Sequence, residues 1–439
     1  MNNLLNKGIA AVLLAAGWTI ATAFAQGPTG PRPVAAVKVS MANEISDWNR
    51  VMLQAILTAP ATPAPATLRV AAIVQAAVFD AVNGIERRYT PIYVPPAAAP
   101  PGASKRAAAV QAAYVSLVNL YPAQKSTFDQ QRAASLAAIT DSNDAVQQGL
   151  SWGQNVADQI WAWRSQDGFT NIPPPYLGGT QPGQWRPTPP AMAAGLFPQL
   201  ATTTPWVMRS PSQFRVEGPA AMQSDRYTAD YNEVKRMGSS TNSARTADQT
   251  LYANFWQAGN PPDNFLQVAL SLAAQHQFSM LQTARLLALV SVGMADSAIG
   301  CYDAKYKYSS WRPITAIQSG DTDGNDATSP DSGWSPLLVT PPHPEHPSGH
   351  SCATGAATRI LSQTFGEVTA FTVGSTAMPG VTRKFSSFTA ALEEVESARV
   401  VGGIHFRTAC IDGAALGIAV ADYVIAHALL PLDDLGRRR

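Results

Sequence analysis

Charge is scarce in this 439-residue chain: 31 lysines and arginines face 30 aspartates and glutamates, 14% charged residues in all, for a formal net charge of +1. That balance argues against a nucleic-acid partner, which wants a basic stripe, and any strong positive field has to be local. Cysteine is also sparse. With only Cys301, Cys352 and Cys410, the fold cannot rest on a disulfide framework, and a hydrophobic content of 46% has to supply the core. Strand-type alternation is rare along the chain. After the N-terminus no segment reaches the ~18 consecutive apolar residues of a spanning helix, the best candidates being cut by Arg285 and Asp422. The mature protein is expected to have no membrane span.

What is present begins with a leader. Lys7 sits in a short polar start, Ile9 to Ala16 is apolar, and Ala23-Phe24-Ala25 is a small-x-small cleavage pattern. Residues 1–25 therefore read as a signal peptide and the protein as exported, periplasmic or secreted, with 26–50 as an N-terminal arm. In an exported protein, three cysteines imply a free thiol or an intermolecular bond. Cys352 and Cys410 each follow a histidine (His350, His405) onto the helix it is expected to open. A bond between those two and a set of three buried reduced thiols are both open readings.

Most of the chain has helical periodicity. Leu68–Ile85, Ser104–Leu120, Ala123–Ile139 and Asp144–Arg164 are alanine-rich with apolar residues at helical spacing. Asp167 to Asp225 is an irregular stretch dense in proline and glycine, where Trp185, Phe197 and Trp206 point to packing rather than to a linker. Helices resume at Thr228–Arg236, Thr246–Gln257, Asn264–His276, Phe278–Met294, His350–Phe365, Ser387–Val401 and Ile411–Leu430. The fold class is all-α: one helical-bundle domain over 51–430 of about a dozen helices with long Pro/Gly-rich loops, followed by a tail at 431–439.

Three segments within 296–415 carry the chemistry: Lys305-x6-Arg312-Pro313, Pro347-Ser348-Gly349-His350 and Arg399-x3-Gly403-x-His405. They supply three cations, two imidazoles, a hydroxyl and a glycine amide, an inventory suited to a tetrahedral oxyanion. On one continuous helix Lys305 and Arg312 would share a face about 10 Å apart. The Pro-Ser-Gly run ahead of a helix offers free amides at a dipole's positive end. Gly402-Gly403 interrupts a helix, which lets Arg399 and His405 converge although six helical steps would turn them about 600° apart. Taken singly, each segment is also what surface cations or an ordinary capped helix would show.

Their order and spacing together resemble the signature of vanadium-dependent haloperoxidases and type 2 phosphatidic acid phosphatases. The resemblance implies a helical-bundle fold, and vanadate as cofactor with phosphate able to occupy the same site. By position, Lys305, Arg312, Ser348, Gly349 and Arg399 match the residues that hydrogen-bond the oxyanion. His405 matches the vanadium ligand or phosphatase nucleophile, His350 the acid–base histidine, and Lys305 the residue that polarises bound peroxide. One position departs: the phosphatase signature has an aspartate four residues after the second histidine, where this chain has Ala409, and Asp412 lies too far along a helix to replace it. His343 stands where bromide-oxidising members carry histidine and chloride-oxidising members phenylalanine. The expected activity is halide oxidation, bromide favoured, by hydrogen peroxide, with an organic acceptor for the oxidised halide. The alternative is an exported acid phosphatase acting on phosphomonoesters, and a non-catalytic oxyanion binder ranks third. His346 is expected near the pocket entrance with His343, while His276 and His427 fall outside the motifs.

Overall fold

Alanine-rich stretches become helices wherever proline and glycine leave them unbroken. The computed structural model describes residues 44–59, 64–259 and 261–433, so the expected leader, most of the expected arm and most of the expected tail lie outside the described residues. These form α1 (Glu44–Thr58), α2 (Ala64–Glu86), α3 (Lys105–Leu120), α4 (Lys125–Ala137), α5 (Asn143–Arg164), α6 (Asp225–Gly238), α7 (Ala247–Ala258), α8 (Pro261–Gln275) and α9 (Met280–Tyr308). The chain continues through α10 (Pro313–Gln318), α11 (Gly349–Phe365), α12 (Phe388–Val401) and α13 (Arg407–His427). Two short antiparallel strands, β1 (Phe371–Gly374) and β2 (Thr382–Phe385), pair Phe371 with Phe385. The fold is mostly helical, as expected. Residues 44–50, set apart above as arm, already belong to α1, with Ile45 and Trp48 buried.

Serine starts many of these helices. Ser104, Ser142, Ser224, Ser279, Ser348 and Ser387 each accept an amide of the first turn through the side chain, a contact worth about 1 kcal/mol. Helices α2, α9, α11 and α13 share one continuous hydrophobic core. A smaller cluster of Tyr227, Tyr231, Trp311, Trp334, Phe406 and Cys410 packs behind α10.

The expectation that no segment is apolar enough to span a membrane does not hold. By length and composition three helices are: Pro65–Glu86, Met280–Tyr308 and Arg407–His427. In the first two, 89% and 94% of the most apolar stretch is buried within the fold, and in the third 50%. Counting uninterrupted apolar residues missed them, because a helix enclosed by other helices is apolar on every side and tolerates an occasional polar group.

The proline-rich stretch from 167 to 225 packs on the bundle, with Trp185 and Trp206 buried. A buried carboxylate anchors it: Asp296 of α9 accepts the amides of Trp206, Val207 and Met208 at 2.6, 2.8 and 2.9 Å. Asp80 of α2 does the same for Ile92, Tyr93 and Val94. All three cysteines are free and buried. The Cys352–Cys410 bond is thus not formed, and the thiol facing Cys352 most directly is Cys301, through a side-chain hydrogen bond.

Candidate active site

Helix α9 brings Lys305 to the core and ends just beyond it. Ser309 takes the left-handed conformation (φ 48°) that stops the helix, and Arg312 becomes the residue capping α10. Lys305 and Arg312 are therefore not on one continuous helix. Both are fully buried, and both turn toward the proline-rich run 341–347. Lys305 Nζ donates to the carbonyls of Pro344, Glu345 and Pro347 at 2.9, 3.0 and 2.5 Å. Arg312 donates to the carbonyls of His343 (2.9 Å), Ile404 (2.7 Å) and Pro341 (3.1 Å). Its remaining contacts are His343 Nδ1 at 2.9 Å and His405 Nε2 at 3.1 Å. An ammonium has three N–H donors and a guanidinium five. In this state every one of these eight donors has a protein acceptor.

The run leads into α11. Ser348 caps it, giving its hydroxyl oxygen to the Ser351 amide and its carbonyl to Cys352. Helix starts leave their first amides without internal acceptors, and here those belong to Gly349 and His350, which both line the cavity described below. A side chain at Gly349 would meet only Lys305 Cε, at 3.9 Å, so the backbone faces open space. The His350 ring has the Trp256 carbonyl as acceptor for one nitrogen, and its Nε2 is buried without a partner. Burial, then Arg399 and Lys305, push its pKa well below the usual imidazole range. His350 is therefore neutral, with a free lone pair.

The third segment works as the double glycine suggests. Helix α12 ends at Val401, and Gly403 turns with φ 80° so close to Gly238 that a β-carbon there would lie 2.4 Å from the Gly238 carbonyl oxygen. After this turn His405 precedes α13, which starts two residues later at Arg407. Arg399 at the end of α12 donates to Gln257 Oε1 at 2.9 Å, while its Nε and Nη1 are buried and unpartnered. Burial lowers its pKa to about 9, and that of Lys305 to about 8, so both stay charged at neutral pH.

Arg399, Gly349, His350, His405 and His343 border one cavity of about 340 Å³, together with Tyr302, Leu196, Leu68 and Pro261. Lys305, Arg312 and Ser348 stand behind its wall. His346 points elsewhere, its Nε2 on the Glu217 carbonyl at 3.0 Å. His276 packs on Phe365 and His427 on Tyr423. Asp412 pairs with Arg226 and His346 at 3.6 and 3.7 Å.

Residues 285–434 match the family of the VCPO second helical-bundle domain. The vanadium chloroperoxidase of Curvularia inaequalis is 23% identical over 263 residues, 50% of this chain and 43% of that protein. A structure described as the first bacterial vanadium-dependent iodoperoxidase superposes with a TM-score of 0.75 at 26% identity, over 89% of this chain and 96% of that one. The chain is thus similar to vanadium haloperoxidases, in sequence over its C-terminal third and in fold over most of its length. The apo form of a bacterial vanadium-dependent chloroperoxidase shares the fold, with a TM-score of 0.68 at 18% identity over 84% of this chain and 94% of that one. The alignment spans less than half the length of the curated fungal relative.

One residue of this site was not anticipated. The Glu345 carboxylate, 1% exposed, accepts His405 Nδ1 at 2.9 Å and the Phe406 amide at 3.0 Å through the same oxygen. The only signal for it was an acidic residue inside the rigid Pro-His-Pro-Glu-His-Pro run. Arg312 can only donate, so His405 Nε2 accepts, and Nδ1 must carry the proton given to Glu345. Both ring nitrogens are thereby assigned.

Proposed function

We propose that this protein is a vanadate-dependent haloperoxidase that oxidises halide, bromide in preference, with hydrogen peroxide. The observation that carries this reading is a set of buried, unpartnered polar atoms on one cavity: Arg399 Nε and Nη1 and His350 Nε2, beside the Gly349 and His350 amides and the His405 ring. Buried polar atoms without partners are rare and call for a ligand. These are mostly N–H donors on a cationic wall, which fits an oxyanion. Vanadate would be held by Arg399 and the two amides, with the Ser348 hydroxyl and the Lys305 and Arg312 charges behind and His405 Nε2 as its nitrogen ligand. When bound, it supplies a Lewis acid that activates peroxide without changing oxidation state.

The chain's own residues do the rest. His350, neutral and aimed into the cavity, takes a proton from incoming peroxide and returns it to the departing oxygen. Arg312 occupies His343 Nδ1, which leaves the His343 Nε2–H as a donor beside the site, suited to holding a halide. Bromide rather than chloride is favoured by histidine at this position. Leu196, Leu68, Pro261 and Tyr302 leave apolar room for an organic acceptor. The leader-like residues 1–25 support action outside the cytoplasm.

A second reading, phosphomonoester hydrolysis with His405 as nucleophile, is favoured by Glu345, since a nucleophilic histidine needs a carboxylate to set its tautomer. Steady-state assays decide between them. Bromide oxidation that appears on adding vanadate supports the haloperoxidase. Phosphomonoester hydrolysis by vanadate-free protein, suppressed by vanadate and without oxidation of any halide, transfers the function to the phosphatase reading.

A further inference from the structure

We infer that Glu345 is the positioning residue for His405, performing from a loop the task that the superfamily's phosphatase signature gives to an aspartate on the following helix. The inference rests on the oxyanion-site reading above and concerns how its nitrogen ligand is kept ready.

The geometry is specific. Glu345 Oε1 binds His405 Nδ1 and the next residue's amide at once, so the carboxylate fixes the ring and the backbone that carries it. Glu345 is itself held at both ends of its peptide: its amide donates to the Ser310 carbonyl at 3.0 Å and its carbonyl accepts Lys305 Nζ at 3.0 Å. A carboxylate on a rigid backbone orients an imidazole more sharply than one on a mobile loop, because no ordering entropy is left to lose. On the opposite side of the ring, Arg312 Nη1 faces Nε2. With Nδ1 protonated toward Glu345, the Nε2 lone pair is the one available to an electrophilic oxyanion centre.

The position of Ala409 completes the argument. Ala409 is buried, and it borders, together with Glu345, Phe406 and Thr408, a small cavity of about 50 Å³ behind the site. A carboxylate on α13 at 409 would therefore project into the space Glu345 reaches from the loop. Alanine at 409 and glutamate at 345 are two halves of one exchange: the carboxylate has changed its point of attachment while serving the same histidine. Two carboxylates there would repel each other and cost more burial, which explains why the signature aspartate is missing.

The test uses full-length protein with Glu345→Gln, Glu345→Ala, and Glu345→Ala combined with Ala409→Asp. Two readouts are taken: vanadate affinity by calorimetry and the His405 ring-nitrogen shifts by NMR in vanadate-free protein. Glu345→Gln should weaken vanadate 10- to 100-fold, the range for lost orienting partners, and Glu345→Ala should also mix the His405 tautomers. Adding Ala409→Asp should recover most of the affinity and the Nδ1–H tautomer. A merely structural Glu345 would not be rescued by a carboxylate from another helix. Wild-type affinity and an unmixed tautomer in Glu345→Gln and Glu345→Ala overturn the inference, as does a correctly folded double variant without rescue. Failure of the wild type to bind vanadate or phosphate at all instead removes the oxyanion-site reading.

Discussion

Arg399 is the cation to perturb first, because it alone among the three signature cations has donors to spare. Burial pushes its guanidinium from the usual 12.5 down to about 9, which corresponds to about 5 kcal/mol for keeping the charge in place. Its Nε and Nη1 protons have no acceptor to offset that cost. Arg399→Met removes the charge while keeping much of the apolar stem, so the ligand-free protein should become more stable, by roughly 1–3 kcal/mol once relaxation is allowed for, seen as a melting temperature a few degrees higher. Anion binding should move the other way. Two charge-assisted hydrogen bonds lost at ~1.5–3 kcal/mol each weaken phosphate or vanadate by about two to four powers of ten. Thermal unfolding with and without vanadate, together with calorimetry, reads both quantities. A variant that melts lower than wild type and binds vanadate within threefold would refute the view of Arg399 as a donor reserved for the ligand.

The other predictions follow from the same division of labour. His405→Ala should abolish vanadate binding, whereas His350→Ala should bind it nearly normally and turn over slowly; calorimetry on both vanadate-free variants separates them, and equal loss in both contradicts the assignment. Lys305→Met should act mainly on the loop, leaving the Pro344, Glu345 and Pro347 carbonyls without their donor and destabilising the protein by about 1–3 kcal/mol, measured by denaturant unfolding; unchanged stability contradicts it. Phosphate affinity should fall as pH rises through about 8 and further above 9, by up to tenfold per unit. Lys305, its pKa lowered by burial to about 8, loses its proton first and Arg399 at about 9 next, while phosphate remains the dianion; calorimetry from pH 7 to 10 would show no decline if these cations do not act on the site.

Much of this was legible in the sequence, and what was not has identifiable physical causes. Ser104, Thr246, Ser348 and Ser387 marked helix starts within a residue or two, since capping depends on local chemistry. The end of α9 was not legible: Ser309 in the left-handed region is no strong helix breaker, and so the Lys305–Arg312 spacing suggested a shared face that does not exist. The convergence of Arg399, His350 and His405 on one cavity followed the grouping read from the motifs. That Lys305 and Arg312 give most of their donors to carbonyls could not be read, because carbonyls belong to every residue and leave no trace in composition. Glu345 was hidden for a related reason, since its partner lies 60 positions away.

The contact between Arg312 and His405 Nε2 also makes the histidine resistant to acid. A metal-binding imidazole is usually silenced below its pKa, when a proton takes the lone pair. Here burial comes first, and then the guanidinium at 3.1 Å, with Lys305 and Arg399 behind it, so that His405 protonates only far below the usual imidazole range. A guanidinium can hand its N–H from that lone pair to an arriving oxyanion without giving up a proton to solvent. The nitrogen is thus kept covered yet unprotonated, so an arriving oxyanion has only a hydrogen bond to displace there and no proton to wait for.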